Sequence, residues 1–201
     1  MFENIKKLTN NKFLNLFQID ARDKNGKDFK YFFASRGSEN NLECITKKNN
    51  PDGIMIYAVL KDNPSKIVVV KQYRYPINDY IYEMPAGLID ENEKGDICAI
   101  REFKEETGMN LDIISNNVLT DKPFYTSVGL TDESVIIYYG YAYGEISKDF
   151  LENTERIETF IIDKEEAKRI LKEEKVAMKC ALLLIQFINS DEKYPFNFLN
   201  F

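Results

Sequence analysis

Three glutamates in the middle of the chain could together hold a divalent cation. Glu102, Glu105 and Glu106 are spaced so that, at about 100° per residue of an α-helix, their side chains lie on one face. Carboxylate oxygens that converge in this way suit Mg²⁺ or Mn²⁺, ions that share their coordination with a substrate phosphate. A solvated acidic helix face has the same spacing. The helical pattern by itself therefore leaves both interpretations open.

The residues around these glutamates predict a helix over 95–107. Ile97, Ile100 and Phe103 lie on the side away from the carboxylates, so we expect them to be buried against a sheet. Gly108 follows directly, and glycine is the residue that most readily ends a helix in the left-handed conformation. Positioning of the acidic face therefore depends on a sheet beneath this helix.

The composition excludes several kinds of chemistry. The 201-residue chain contains no histidine, which rules out Ser-His-Asp and Cys-His catalysis and histidine-ligated zinc. Its net charge of −6 is the wrong sign for general binding to nucleic acid or to an anionic membrane. Cys44, Cys98 and Cys180 are far apart in the sequence and odd in number, which indicates reduced thiols of a cytoplasmic protein.

The rest of the chain predicts an α+β protein in which helices cover a sheet. An aromatic-rich N-terminal hairpin, with a turn at Asn25-Gly26, forms an appendage over residues 1–47, and the remaining domain spans 48–201. The expected strands are 13–19, 29–34, 54–60, 67–73, 80–83, 135–142 and 157–162, and the later helices are 164–175 and 176–189.

One segment resembles the signature of a known family. Gly87, five residues, Glu93, seven residues and then the run from Arg101 to Gly108 match all seven fixed positions of the Nudix box. The family's aliphatic positions hold Phe103 and Met109, a departure that affects packing more than chemistry. The resemblance implies an α/β/α sandwich with a mixed sheet, and a hydrolase that acts on nucleoside diphosphates linked to another group.

The resemblance also implies roles for individual residues. Glu102 and Glu106 match the principal metal ligands, Glu105 is a further ligand or catalytic water contact, and the main-chain carbonyl of Ala86 is another ligand. Mg²⁺ is the expected ion, with Mn²⁺ also possible. The remaining fixed residues are structural: Glu93 is expected to pair with Arg101 and hold the loop on the helix, while Gly87 and Gly108 shape the backbone.

Outside the box, about 150 residues resemble the ADP-ribose pyrophosphatase branch, through three short elements. They are Ser35-Arg36-Gly37, the run from Gln72 to Pro76, and the run from Glu83 to Gly87. This likeness implies that Arg36 and Arg74 contact phosphate and that Glu83 takes part in substrate binding. It also implies a catalytic base in the acidic loop before the last core strand, where Glu155 aligns best and Glu152 is second.

The resemblance leaves the substrate open. Val128 stands where many ADP-ribose hydrolases carry a proline, and a subgroup that hydrolyses UDP-sugars has a similar Val-Gly-Leu-Thr stretch. From the likeness to the ADP-ribose pyrophosphatase branch, we expect cleavage of ADP-ribose to AMP and ribose 5-phosphate. Because of Val128, other nucleoside diphosphate sugars are the alternative. A sensor that binds ADP-ribose or a nucleotide without hydrolysis is an alternative of another class.

The N-terminal hairpin has too few residues to form its own core, which predicts a homodimer.

Overall fold

The computed structural model describes residues 2–114, 122–151 and 156–200, with the backbone alone at residues 2 and 3. In chain order, the elements are β1 (Phe2–Lys7), β2 (Asn15–Arg22), β3 (Asp28–Ser35), α1 (Glu43–Thr46), β4 (Gly53–Leu60), β5 (Lys66–Arg74), β6 (Asp79–Glu83), β7 (Ala86–Leu88), α2 (Gly95–Thr107), β8 (Asn110–Ile113), β9 (Phe124–Tyr125), β10 (Ser134–Tyr143), β11 (Ile157–Asp163), α3 (Lys164–Glu173) and α4 (Met178–Asn189). Single turns of 3₁₀-helix lie at Tyr75–Ile77 and Asn197–Leu199.

The chain divides into two compact units. The first comprises Met1–Asp52 with Pro123–Val135, and the second comprises Gly53–Lys122 with Ile136–Phe201.

The first unit contains a three-stranded antiparallel sheet in the order β1, β2, β3. The predicted hairpin is present as β2 and β3, with Gly26 in the left-handed conformation at φ +83° in the connecting turn. The sequence does not predict β1, because its mostly polar residues show no clear apolar alternation. A small core forms from Phe17, Phe33 and Leu42, and the two phenylalanine rings stack with their centroids 5.5 Å apart.

The second unit is built on a sheet in which both faces are covered. Its strand order is β11, β5, β4, β10, β8, with β6 on β5 and β7 on β4. Along β4, Ile54, Ile56 and Ala58 pack into a cluster with α2, while Met55, Tyr57 and Val59 pack into a cluster with α3 and α4. Burial on both faces explains why β4 and β5 are continuous apolar runs. The predicted α+β sandwich is confirmed.

Helix α2 has the predicted bounds, but it presents a different face to the sheet. Ile97 and Ile100 are 54% and 45% exposed, so the expectation that they are buried is wrong. Phe103 is buried as predicted, but the rest of the buried face is formed by Cys98 and Ala99, together with Glu106, which is only 4% exposed. This orientation places two small side chains against the sheet and turns one glutamate inward.

Within residues 2–114, 122–151 and 156–200, no helix combines the length and the apolar character that crossing a membrane requires.

The observed helix face makes a prediction about stability. Phe103→Ala should lower the free energy of unfolding by about 3–5 kcal/mol, because it leaves a cavity in a fully buried cluster. Ile100→Ala, on the exposed face, should cost less than about 1 kcal/mol. Urea denaturation of both variants beside the wild-type protein measures the difference. Equal losses would contradict the observed orientation of α2.

Candidate active site

Helix α2 and strand β7 bring the acidic residues against the backbone of the preceding loop. The carboxylate of Glu106 accepts a hydrogen bond from the main-chain N–H of Ala86, with 3.1 Å between Oε2 and N. This contact joins the last turn of the helix to the start of β7. A buried carboxylate is costly unless polar groups satisfy it, so the contact also holds Glu106 in a defined position.

Gly87 allows Glu102 to lie directly on β7. A Cβ atom placed on Gly87 would come within 1.9 Å of Cδ of Glu102, much closer than two carbon atoms can approach. Any residue with a side chain at this position must therefore displace the Glu102 carboxylate. The glycine of the box is thus explained by the close approach of this carboxylate to the β7 backbone.

Arg101 is the positive centre of the site. Its Nε and Nη2 donate to the two carboxylate oxygens of Glu93 at 2.9 and 2.8 Å, a bidentate ion pair. Its Nη1 donates to Glu102 at 2.8 Å and to Glu105 at 2.9 Å. The guanidinium lowers the pKa of Glu93 from its ordinary value of 4.5 to about 2. One arginine thereby ties the loop before the helix to the acidic face.

Gly108 ends α2 in the left-handed conformation, at φ +75°. Its N–H donates to the carbonyl of Lys104 at 2.9 Å. A Cβ atom at this position would lie 2.3 Å from the main-chain nitrogen of Ser147, so both the dihedral angle and the space favour glycine.

Arg74 and Glu83 form an ion pair on the same sheet. Arg74 Nη2 lies 2.6 Å from Glu83 Oε2, and Arg74 Nε donates to the same oxygen at 2.7 Å. In the antiparallel register of β5 with β6, Glu83 lies opposite Val70 and Arg74 lies opposite Asp79, so the two long side chains meet by reaching along the strands. Arg36 belongs to the first unit, where its Nε donates to Glu133 at 3.5 Å.

The donor set suits a hard divalent cation. Glu102, Glu105 and Glu106 offer carboxylate oxygens, and the neighbouring backbone of Ala86 offers a carbonyl, the ligand types that Mg²⁺ and Mn²⁺ prefer. Across the described ranges, no three acidic or thiol side chains are already grouped around one cation position. Arg101 contacts one oxygen of Glu102 and one oxygen of Glu105, and a carboxylate has a second oxygen that can bind a cation.

Two of the predicted residues are not among those that the structure describes, and the sequence did not predict one further contact. Glu152 and Glu155, the candidates for the catalytic base, lie outside the described residues. The hydroxyl of Thr159 on β11 donates to the main-chain carbonyl of Glu106 at 2.9 Å. The sequence gives only a weak signal for this contact, a single hydroxyl in an otherwise largely apolar or charged strand.

Comparison with known proteins identifies the family. Residues 51–180 match the NUDIX domain. The chain is 32% identical over 163 residues to the ADP-ribose pyrophosphatase of Saccharomyces cerevisiae, covering 79% of this chain and 68% of that protein. It is 28% identical over 144 residues to the ADP-ribose pyrophosphatase of Bacillus subtilis, covering 71% of this chain and 75% of that protein.

A solved structure shares the fold. The crystal structure of an ADP compounds hydrolase matches with a TM-score of 0.67 at 18% identity, covering 92% of this chain and 91% of that one. The fold is an α+β sandwich, and the domain match together with the curated relatives indicates a hydrolase. The chain belongs to the Nudix family, as its box indicated.

The ion pair of Glu93 with Arg101 makes a prediction about pH. Because folding lowers the pKa of Glu93 to about 2, its carboxylate stabilises the folded state above pH 4.5, and this stabilisation is lost as the pH falls towards 2. Glu93→Gln should therefore lower the free energy of unfolding by about 1–2 kcal/mol at neutral pH, with the difference shrinking on acidification. Urea denaturation across a pH series measures it.

Glu91→Gln is the matched control, since Glu91 is an exposed glutamate two residues away. It should change the free energy of unfolding by less than about 0.5 kcal/mol. A loss in Glu93→Gln that stays constant from neutral pH down to about pH 3 would refute the role given to the carboxylate charge.

Proposed function

We propose that this protein is a metal-dependent pyrophosphohydrolase that cleaves ADP-ribose to AMP and ribose 5-phosphate. The observation that carries the proposal is the arrangement on α2, where a buried Glu106 is tied to Ala86 and Glu102 lies against Gly87. Such an arrangement holds carboxylates at a fixed place beside the backbone of β7. The relatives named ADP-ribose pyrophosphatase support the choice of substrate.

In this proposal, Glu102, Glu105, Glu106 and the carbonyl of Ala86 hold Mg²⁺, or Mn²⁺ in its place. When bound, the cation neutralises diphosphate charge and makes a water molecule easier to deprotonate. Arg101 is the internal counter-charge: it contacts Glu102 and Glu105 at 2.8 and 2.9 Å and so limits repulsion among the carboxylates before an ion binds. Glu93 keeps Arg101 in place through its bidentate contact.

Arg74 is the proposed phosphate contact of the second unit, and Arg36 that of the first. Glu83 orients the Arg74 guanidinium through one carboxylate oxygen, leaving other guanidinium N–H groups to donate to a phosphate. We assign the proton-accepting role to Glu155, with Glu152 as second candidate and Glu105 as the carboxylate on the helix itself. A water molecule that gives its proton to this base attacks phosphorus in line, and the bond from that phosphorus to the bridging oxygen breaks, which gives AMP and ribose 5-phosphate.

A second candidate substrate is a UDP-sugar or another nucleoside diphosphate sugar. Val128, at the position where many ADP-ribose hydrolases carry proline, favours it. The Val128 side chain is 68% exposed, so packing in a core does not explain why valine occupies this position. The two candidates share the diphosphate chemistry and differ in the base and sugar that are recognised.

We further propose that the protein acts as a homodimer through its first unit. The core of this unit consists of Phe17, Phe33 and Leu42, whereas Phe13, Phe29 and Phe32 are 66%, 45% and 49% exposed. Aromatic surface on this scale is typical of surfaces that pack on a partner.

The catalytic proposal predicts that Glu106→Gln abolishes most activity while the fold survives. The amide oxygen can still accept the Ala86 N–H, but the negative charge toward the cation is lost, so kcat should fall at least about 100-fold. AMP release from ADP-ribose with Mg²⁺ measures the rate, and the melting temperature monitors the fold. Glu91→Gln, on an exposed loop, is the control and should keep full activity. A Glu106→Gln rate close to wild type would remove the metal assignment.

A substrate panel tests the specificity. Of ADP-ribose, ADP-glucose, UDP-glucose, diadenosine polyphosphates, NADH and oxidised deoxynucleoside triphosphates, ADP-ribose should give a kcat/KM at least about 10-fold above the others. Product identity, determined by chromatography, should be AMP and ribose 5-phosphate. UDP-glucose as the preferred substrate would select the second candidate, and a deoxynucleoside triphosphate would refute both.

The dimer is tested by size-exclusion chromatography with light scattering. At micromolar concentration, the expected particle has twice the chain mass of 23.5 kDa. Phe32→Ser combined with Phe29→Ser should shift it towards the monomer. A wild-type particle of one chain mass would contradict the proposal.

A further inference from the structure

The last turn of α2 is held by groups from outside the helix. The final carbonyls of an α-helix have no N–H partner within it and need other donors. Here, the carbonyl of Thr107 accepts from the N–H of Ser147 at 3.1 Å, and the carbonyl of Glu106 accepts from the hydroxyl of Thr159 at 2.9 Å. The Thr159 contact is a side-chain contact, so it depends on the identity of that residue.

Thr159 lies on the sheet face that carries α2. It pairs with Val70 on β5, and Val70 pairs in turn with Glu83 on β6. Directly opposed residues of antiparallel strands project to the same face. Val68, two residues before Val70 and therefore on the same face, packs in the cluster that contains Ala99 and Phe103 of α2. One row of the sheet thus bears both Glu83 and the hydroxyl that reaches the helix.

Glu106 is consequently held at two points. Its carboxylate accepts from the Ala86 N–H at 3.1 Å, and its own carbonyl accepts from Thr159 at 2.9 Å. Without the second contact, the carbonyl of a residue that is 4% exposed loses its hydroxyl donor, and the final turn can unwind or rotate. Rotation of that turn would move the carboxylate away from Glu102 and the β7 backbone.

We propose that Thr159 is a positioning residue that sets the cation affinity of the acidic face by fixing the main chain of Glu106. The inference rests on the proposed function of Glu106 as a metal ligand. It requires no contact between Thr159 and substrate. Within the Thr159 side chain, the hydroxyl is the group that matters, since it is the hydroxyl that donates to the Glu106 carbonyl.

The test compares Thr159→Val, which removes the hydroxyl at nearly constant shape, with Thr159→Ser, which keeps it. Titration with Mn²⁺ in the absence of substrate, followed by electron paramagnetic resonance of the free ion, should give a Kd raised about five- to tenfold in Thr159→Val. Thr159→Ser should remain within about twofold of wild type. At saturating Mg²⁺, the KM for ADP-ribose should be unchanged in both variants.

Thr107→Val is the control for general loss of stability in the same turn. It removes a buried hydroxyl that donates to Phe103 and accepts from the N–H of Met109, without touching the Glu106 carbonyl. We expect a lower melting temperature with little change in Mn²⁺ affinity. An unchanged Kd in Thr159→Val, or an equal rise in Thr107→Val, would overturn the inference.

The same experiment separates this inference from the proposed substrate. Wild-type protein that binds Mn²⁺ but releases no AMP from ADP-ribose would refute the proposed reaction, while a weakened Mn²⁺ affinity in Thr159→Val would still support the positioning role. Wild-type protein that binds no Mn²⁺ would overturn both.

Discussion

The whole site depends on how one guanidinium balances several carboxylates. Arg101 donates to Glu93, Glu102 and Glu105 at distances of 2.8 to 2.9 Å. A planar group with five N–H donors can serve several partners at once, which the point charge of a lysine cannot do with the same geometry. The acidic face can therefore form on a helix that would otherwise carry adjacent repelling charges, and the loop before it is held by the same contact.

The local features of the fold could be predicted because they depend on neighbours in the sequence. Helix α2 spans Gly95–Thr107 as predicted, since its apolar period and Gly108 mark both its length and its end. The face that it buries could not be predicted, because a helical wheel sorts residues by polarity and contains no information about how closely the axis approaches the sheet. With Cys98 and Ala99 against the sheet, Glu106 is turned inward and Ile97 outward.

In the site, too, local contacts could be predicted from the sequence, whereas contacts between distant strands could not. The pairing of Glu93 with Arg101 was expected from their positions in the box, and the structure brings them into contact. The ion pair of Arg74 with Glu83 depends on the register of β5 and β6, and the hydroxyl of Thr159 reaches α2 from a strand 53 positions further along. Such contacts depend on the assembled sheet, and no spacing in the sequence encodes them.

The close approach of Gly87 to Glu102 has an evolutionary consequence. Since a Cβ atom at position 87 would lie 1.9 Å from Cδ of Glu102, this position cannot gain even a methyl group while the long side chain at position 102 keeps its place. A lineage that replaces the glycine must therefore also shorten or reorient the acidic residue. Shortening the side chain at position 102 first creates no clash at Gly87, so the constraint acts in one direction: the glycine can be replaced only where the acidic side chain has already given way.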